Sequence, residues 1–187
     1  MNPSVQELLA GVNAVPAKEV ILLPNNKNVI LTASQVQELT SKKVMVIPSK
    51  TMPQGVAALL AFNPEADLEQ NAEAMGEAME AVRTVEITKA VRSTKVKGLP
   101  VKKGQFIAII DDEELVAAGD DITEVIFHAL DKVAADASEL ITIYYGADTK
   151  KTEAEKIARE IGNKHSGKQI ELIKGGQPHY SYIISIE

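Results

Sequence analysis

The first half of the chain alternates short apolar runs with segments that carry apolar residues at helical spacing. Residues 20–23 and 44–47 are rich in β-branched and aliphatic residues, and each run ends at a proline, a polar loop and a new run of helix formers. This repeated order predicts two strand–loop–helix units in a parallel sheet. Their loops, at 25–28 and 49–54, are expected side by side at the carboxyl ends of neighbouring strands, where open α/β sheets usually bind ligands and partners.

Helix signals flank these two strands. Asn2 followed by Pro3 predicts an N-cap and a first helical residue. Residues 28–39 carry Val29, Ala33, Val36 and Leu39 at helical spacing, and Asp67 with Gln70 forms a capping box ahead of another amphipathic stripe. A parallel unit that opens on a helix lacks its first strand, so we expect that an upstream strand belongs to a longer parent.

The second half of the chain has a different pattern of predicted elements. A soft domain boundary is predicted after residue 93, where a polar segment punctuated by glycine and proline begins. Beyond it we expect a hairpin of 106–110 and 115–118, a helix capped by Asp121, a strand at 140–145, a further helix, and two final strands. The predicted fold class is therefore α/β, with a parallel subdomain at 1–93 and a smaller α+β subdomain at 94–187 that ends in an antiparallel strand.

Composition narrows the classes of function. The chain has 187 residues, of which 45% are hydrophobic, enough for one ordinary core or two small ones. No apolar run approaches the roughly 20 residues that span a bilayer, and no signal peptide is recognisable, so we expect a cytoplasmic protein without membrane insertion. A net charge of −6 and 4% aromatic residues argue against nucleic-acid binding. The absence of cysteine excludes disulfides and thiolate sites.

Catalytic and metal-binding signatures are weak. The sequence contains neither a phosphate-binding loop nor a dinucleotide fingerprint, and no nucleophile or acid–base pair follows from spacing. His128, His165 and His179 lack the spacing of metal ligands. The acidic residues 111–114 offer hard oxygen ligands, but their place at a predicted hairpin tip favours a solvated turn. No catalytic residue and no metal ligand is predicted.

Three loops are dense in hydrogen-bonding side chains, and each follows a predicted strand or links two of them. They are residues 25–28, 49–54 and 175–179. Asparagine and glycine in loops commonly supply only turns and caps. Three such loops together with a lysine and a histidine predict a cleft for a carboxylate or phosphate, or a polar face for another protein. The candidate residues facing a ligand or partner are Asn25, Asn26, Asn28, Ser49, Lys50, Thr51, Gln54, Gln177 and His179.

Three ungapped stretches carry a family resemblance: VILLPNNKNV at 20–29, VIPSKTMPQGVAALLAF at 46–62 and GGQPHYSYIISIE at 175–187. With them, essentially the whole chain resembles the C-terminal domain of the ATP-binding subunit of bacterial fatty acid kinase, whose upstream part is similar to dihydroxyacetone kinase. That domain in turn resembles DegV-like fatty-acid-binding proteins, the acyl-carrying partners of the kinase. The resemblance implies a DegV-like fold.

The binders' head-group motifs are altered in this chain. Residues 2–4 fall where the binders have Thr-Ser-Gln-Pro-Ser, 25–28 where they have Ser-Gly-Thr, and 49–51 where they have Asp-Ser-Lys or Asp-Thr-Lys. Residues 175–179 lie near their terminal histidine loop. Asparagine and lysine replace the small residues that approach a carboxylate, and Pro48 stands at the aspartate position.

The resemblance implies an accessory role. In the family, the kinase makes an acyl-phosphate with ATP and magnesium held in an N-terminal domain that this chain lacks, so no cofactor is expected here. We expect a non-catalytic domain that docks the fatty-acid-binding DegV-like protein or helps to assemble the rest of the kinase. The alternative is a lipid-binding module that itself holds a fatty acid, and an independent enzyme is less supported. A homodimer is a further possible assembly.

Overall fold

A computed structural model describes residues 2–133, 135 and 138–187. The chain divides into two compact units, of which unit 1 ends at Val82 and unit 2 spans Arg83–Glu187. The division comes earlier in the chain than the predicted boundary at residue 93. The strand that begins at Arg83 pairs with strands of unit 2. The local pattern of apolar and polar residues could not predict these long-range backbone hydrogen bonds.

The described residues of unit 1 form two strands and four helices. β1 and β2 pair in parallel with Val20 opposite Val44, so the prediction of two neighbouring strand–loop–helix units is confirmed. In chain order the elements are α1 Val5–Ala14, β1 Glu19–Leu22, α2 Lys27–Val36, β2 Lys43–Val46, α3 Met52–Leu60 and α4 Leu68–Glu80.

Two helix starts test the capping predictions. The N-cap of α1 is Ser4 and not Asn2, because the Ser4 hydroxyl accepts from the Glu7 backbone N–H and the Glu7 carboxylate accepts from that of Ser4. This reciprocal pair satisfies two otherwise unpaired donors, which a cap at Asn2 would not. The predicted capping box of Asp67 and Gln70 is confirmed at the start of α4.

Both faces of the small sheet are covered, as parallel strands require. Val20 and Val44 pack with Val12 of α1 and Val36 of α2 on one face. On the other face, Ile21 and Met45 pack with residues of α3 and α4. The prediction that α2 reaches residue 39 is wrong: the helix ends at Val36, and Leu39 is 59% exposed.

Unit 2 is built on a six-stranded sheet in the order β7-β6-β3-β10-β8-β9. Only β8 and β9 pair in parallel, and the predicted antiparallel C-terminal strand is confirmed because β10 lies between β3 and β8. The elements are β3 Arg83–Lys89, β4 Thr94–Val96, β5 Leu99–Val101, β6 Phe106–Ile110, β7 Glu114–Gly119, α5 Ile122–Lys132, β8 Leu140–Tyr145, α6 Lys151–Lys164, β9 Gln169–Lys174 and β10 Tyr180–Ile186.

The larger core belongs to unit 2. Ile87, Ile143 and Ile184 from the middle strands pack against Leu130 of α5 and Ile161 of α6. Among the described residues, the main sheet of unit 2 has six strands, whereas the sheet of unit 1 has two. The strands β3 and β10, which come from the two ends of unit 2, pair with each other in its sheet.

Within the described residues, no helix combines the length and apolarity needed to cross a bilayer.

Candidate functional site

The loops that follow β1 and β2 lie against each other, as predicted for neighbouring parallel strands. The Asn25 backbone N–H donates to the Ser49 hydroxyl oxygen across 3.0 Å, and that hydroxyl donates to Asn25 Oδ1 across 2.7 Å. Ser49 is fully buried, whereas Asn25 is exposed. The loops are thus joined by two hydrogen bonds that use both polar groups of the serine hydroxyl.

Gly55, near the start of α3, allows this close approach. A Cβ atom at Gly55 would lie 1.9 Å from Asn25 Oδ1, far inside van der Waals contact. Asn25 itself has φ of 53°, a left-handed conformation that asparagine tolerates better than most residues. The asparagine side chain therefore fills the space that the missing glycine side chain leaves.

Three of the predicted site residues are buried parts of the loop. Gln54 Oε1 accepts from the Lys50 backbone N–H across 2.9 Å, and the Thr51 hydroxyl caps α3 by accepting from the Gln54 N–H across 3.4 Å. Ser49, Thr51 and Gln54 are all buried. Their contacts hold the loop in shape, as caps and turns do.

The side chains at this edge that reach solvent come from the first loop, from the start of α2 and from Lys50 of the second loop. Asn26 caps α2 by accepting from the Asn28 backbone N–H across 2.9 Å, and its side chain is partly exposed. Asn28 is exposed, and Lys50 is half-buried. A molecule that meets this edge of unit 1 therefore meets the side chains of Asn26, Asn28 and Lys50.

In unit 2, the loop between β9 and β10 is tied to the end of β8. The backbone N–H groups of Gly175 and Gly176 both donate to Tyr145 O across 3.1 Å. The Gln177 amide donates to Tyr144 O across 3.0 Å, and the His179 carbonyl accepts from the Thr88 hydroxyl across 2.6 Å. This places Gln177 and His179 within one built turn, with the His179 side chain exposed.

A pocket of about 430 Å³ lies beside this turn, wholly within unit 2. His179, Lys89 and Lys156 line it together with Glu153 and the largely buried Tyr182. Burial raises the pKa of the Tyr182 phenol to about 12, and the negative charge of Glu153 adds to this. The pocket can thus present cations, a neutral phenol and an imidazole to a small polar ligand.

A second cavity was missed by sequence reasoning. An apolar groove of about 820 Å³ lies in unit 1 beside β1, and Leu23, Leu59, Phe62, Leu68 and Met75 are among its lining residues. Leu68 and Met75 belong to the amphipathic stripe that predicts core packing, and Leu23 belongs to a predicted strand, so the pattern gave no signal that they border an open groove.

Asp111, at the tip of the β6–β7 hairpin, makes structural contacts. Asp111 Oδ2 accepts from Arg83 Nε across 2.6 Å, and Oδ1 accepts from the Thr84 backbone N–H across 2.8 Å. Among the residues that the structure describes, no group of three or more His, Asp or Glu side chains could hold a metal ion. For Asp111, the interpretation of this segment as a turn fits these contacts.

A family model for the C-terminal region of FakA-like fatty acid kinase proteins matches residues 1–187. The chain belongs to this family. Protein YloV of Bacillus subtilis is 36% identical over 187 residues, which are 100% of this chain and 34% of that protein. The uncharacterized protein SAR1202 of Staphylococcus aureus is 33% identical over the same span, again 34% of its length. The chain therefore spans about a third of the length of these relatives.

Solved structures share the fold at low sequence identity. The Streptococcus pneumoniae fatty acid kinase B3 protein, loaded with linoleic acid, matches with a TM-score of 0.69 and 13% identity over 99% of this chain and 76% of its own. A Eubacterium eligens DegV family protein, loaded with heptadecanoic acid, matches with a TM-score of 0.69 and 15% identity over 100% of this chain and 78% of its own. Dihydroxyacetone kinase from C. freundii matches with a TM-score of 0.65 and 15% identity over 98% of this chain and 41% of its own. The predicted DegV-like, dihydroxyacetone-kinase-like fold is thereby confirmed.

Proposed function

We propose that this chain is a non-catalytic accessory domain of a fatty acid kinase, and that it docks the acyl-carrying, DegV-like fatty-acid-binding protein. The rest of the kinase polypeptide would hold ATP and magnesium and transfer phosphate to the presented carboxylate. The observation that carries the proposal is the closure of the two loops of unit 1 upon each other. Asn25, Ser49 and Gly55 fit together there with no space left between them.

A carboxylate held in such loops needs several free donors close to it, because an under-satisfied buried charge is costly. Here the Asn25 backbone N–H donates to Ser49, the Ser49 hydroxyl donates to Asn25, and the Lys50 backbone N–H donates to Gln54. A head group that entered would have to break these contacts, at roughly 1 kcal/mol or more for each lost hydrogen bond. The closed loops therefore favour a docking role over head-group binding at this edge.

The start of α2 offers exposed side chains for a protein contact. Leu31 is 72% exposed on α2 and lies three residues after Asn28, on the same side of that helix. Asn28, at the start of α2, is exposed beside the closed loops. We take the loop edge, with Asn25, Asn28 and Lys50, as the surface that faces the partner.

Native mass spectrometry with the purified fatty-acid-binding partner tests this role. We expect a complex, and we expect Asn28→Arg to weaken it at least about tenfold, since a bulky cation at a packed interface costs over 1.4 kcal/mol. Asn163→Arg is the matched control, because Asn163 is an exposed asparagine on α6 of unit 2. Failure of the wild-type chain to bind the partner, or equal weakening by both variants, contradicts the proposal.

The alternative is a lipid-binding module that itself holds a fatty acid. The pocket of unit 2 favours it, because Lys89 and Lys156 could pair with a carboxylate while Phe106, Ile122 and Ile157 supply apolar walls. Calorimetric titration with a long-chain fatty acid below its micelle concentration separates the two functions. Saturable one-to-one binding at low micromolar affinity or better, lost in Lys156→Met, supports the module and contradicts a role limited to docking.

A further inference from the structure

Among the described residues, β1 and β2 pair only with each other, so the edge of β1 that faces away from β2 has no partner strand. The Lys43 N–H donates to Lys18 O and the Ile47 N–H donates to Leu22 O, each across 3.0 Å. In a parallel ladder this pattern turns the backbone groups of residues 18, 20 and 22 toward β2. The N–H and C=O groups of Glu19, Ile21 and Leu23 then point the other way. Within the described part of the chain, these outward groups make no hydrogen bond to backbone or side chain.

The apolar groove of unit 1 runs along this open edge. Ile21 and Leu23 of the β1 segment form one wall, and Phe62 and Met75 lie among the residues that line the rest. An edge strand with unpaired backbone groups beside an exposed apolar surface is a template for another strand. Parallel sheets of only two strands are also rare, because both faces and both edges need cover. Backbone groups at regular spacing favour a polypeptide over a lipid as the occupant.

The handedness of crossovers determines which segment fits there. β1 passes to its neighbour β2 through α2, and α1 lies on the same face of the sheet as α2, since Val12 and Val36 share one core cluster. Parallel β-α-β connections are right-handed in nearly all proteins. A strand that precedes α1 must therefore lie on the side of β1 away from β2. That side is the open edge.

We propose that an extended segment preceding α1 in the longer polypeptides of this family pairs in parallel with β1 and completes the sheet of unit 1. The backbone of this segment forms hydrogen bonds with the outward N–H and C=O groups of Glu19, Ile21 and Leu23. Every second side chain of the segment is apolar and enters the groove. The chain covers only 34% of Protein YloV, and the matching family model describes a C-terminal region, which supports a source before α1. The proposal is independent of the docking function.

Hydrogen exchange on the natural full-length polypeptide, compared with the 187-residue chain, provides the test. The Ile21 and Leu23 amides should exchange at least about 30-fold more slowly in the longer protein, since ladder amides open only with larger units of structure. The inward-facing Val20 and Leu22 amides should be protected in both. Equal exchange in the two proteins, or slowing that appears only when the fatty-acid-binding partner is added, would overturn the proposal.

Proline substitution gives an independent readout. Glu19→Pro removes only an outward N–H group from a largely exposed position, and edge strands tolerate proline there. The matched control, Glu19→Ala, loses the same carboxylate, which lies 3.5 Å from Lys43 Nζ, but keeps the N–H. We expect the two variants to melt together in the 187-residue chain and Glu19→Pro to melt several degrees lower in the full-length protein. Equal melting in both backgrounds would contradict a strand at this edge.

Discussion

Asn25 and Ser49 hold each other through two hydrogen bonds, although 24 residues separate them in sequence. Asn25 contributes its backbone N–H as a donor and its side-chain oxygen as an acceptor. The Ser49 hydroxyl therefore both accepts a hydrogen bond from Asn25 and donates one to it. Because Ser49 is fully buried, no water replaces either bond readily. The geometry of the two loops is therefore set by their mutual contact before any partner arrives.

Gly55→Ala should destabilise the protein, although alanine normally favours helices over glycine by roughly 1 kcal/mol. The new methyl group would start 1.9 Å from Asn25 Oδ1, so the asparagine must leave Ser49 or the helix must shift. We expect a loss of about 2 kcal/mol in the free energy of unfolding, typical of overpacking at a rigid site. Urea unfolding measures it.

The double variant with Asn25→Gly identifies the cause. Glycine accepts the positive φ of residue 25 and removes the side chain that the new methyl group meets. In that background Gly55→Ala should cost far less than in the wild type, which gives a coupling energy of at least about 1 kcal/mol. Additive effects of the two substitutions would show that the contact between residues 25 and 55 is not the source of the loss.

Asp111→Ala should destabilise unit 2. The substitution removes the acceptor of the Arg83 Nε and Thr84 N–H bonds and places alanine at φ of 52°. We expect a loss of about 1–2 kcal/mol in the free energy of unfolding. Asp111→Asn should cost less, because asparagine keeps an acceptor for Thr84 and tolerates a left-handed backbone. A larger cost for asparagine than for alanine would contradict this account of the turn.

The stability of unit 2 should fall at strongly alkaline pH because of Tyr182. Burial raises the pKa of its phenol to about 12 in the folded chain, above the ordinary value near 10 in an unfolded chain. Folding thus favours the neutral phenol. Its contribution is complete below about pH 10 and is lost as the pH rises toward 12.

Absorbance of tyrosinate against pH, with parallel unfolding curves, measures this effect. Tyr182→Phe should remove one late-ionising group and flatten the loss of stability between about pH 10 and 12. Glu153→Gln should lower the pKa of Tyr182, since the Glu153 charge is one of the groups that raise it. An unchanged late ionisation in Tyr182→Phe would assign the titration to another tyrosine.

The isolated chain should neither hydrolyse ATP nor form acyl-phosphate. The sequence contains no phosphate-binding loop. We expect turnover equal to a no-protein control with ATP, magnesium and a fatty acid present. Activity that survives repeated purification and is lost in a variant of the unit 2 pocket, such as Lys156→Met, would show that the chain is catalytic by itself.

Several features of the fold could be predicted because their causes are local. The apolar runs that end at proline predicted β1 and β2, and the reciprocal spacing of Asp67 and Gln70 predicted the start of α4. Other features could not be predicted. β3 belongs to unit 2 because of its hydrogen bonds with β10, which lies far away along the sequence, and local strand propensity gives no signal of that pairing.

For the candidate site, the sequence by itself determined that the loops after β1 and β2 meet, since parallel strands bring their carboxyl ends to one edge. Only the tertiary structure decided how each residue is used. Ser49, Thr51 and Gln54 look like free donors in the sequence, but they are buried and bonded within the loops, whereas Asn28 remains exposed. The physical reason is that residue type sets the capacity to donate or accept, and the distances between segments remote in sequence decide whether that capacity is already satisfied.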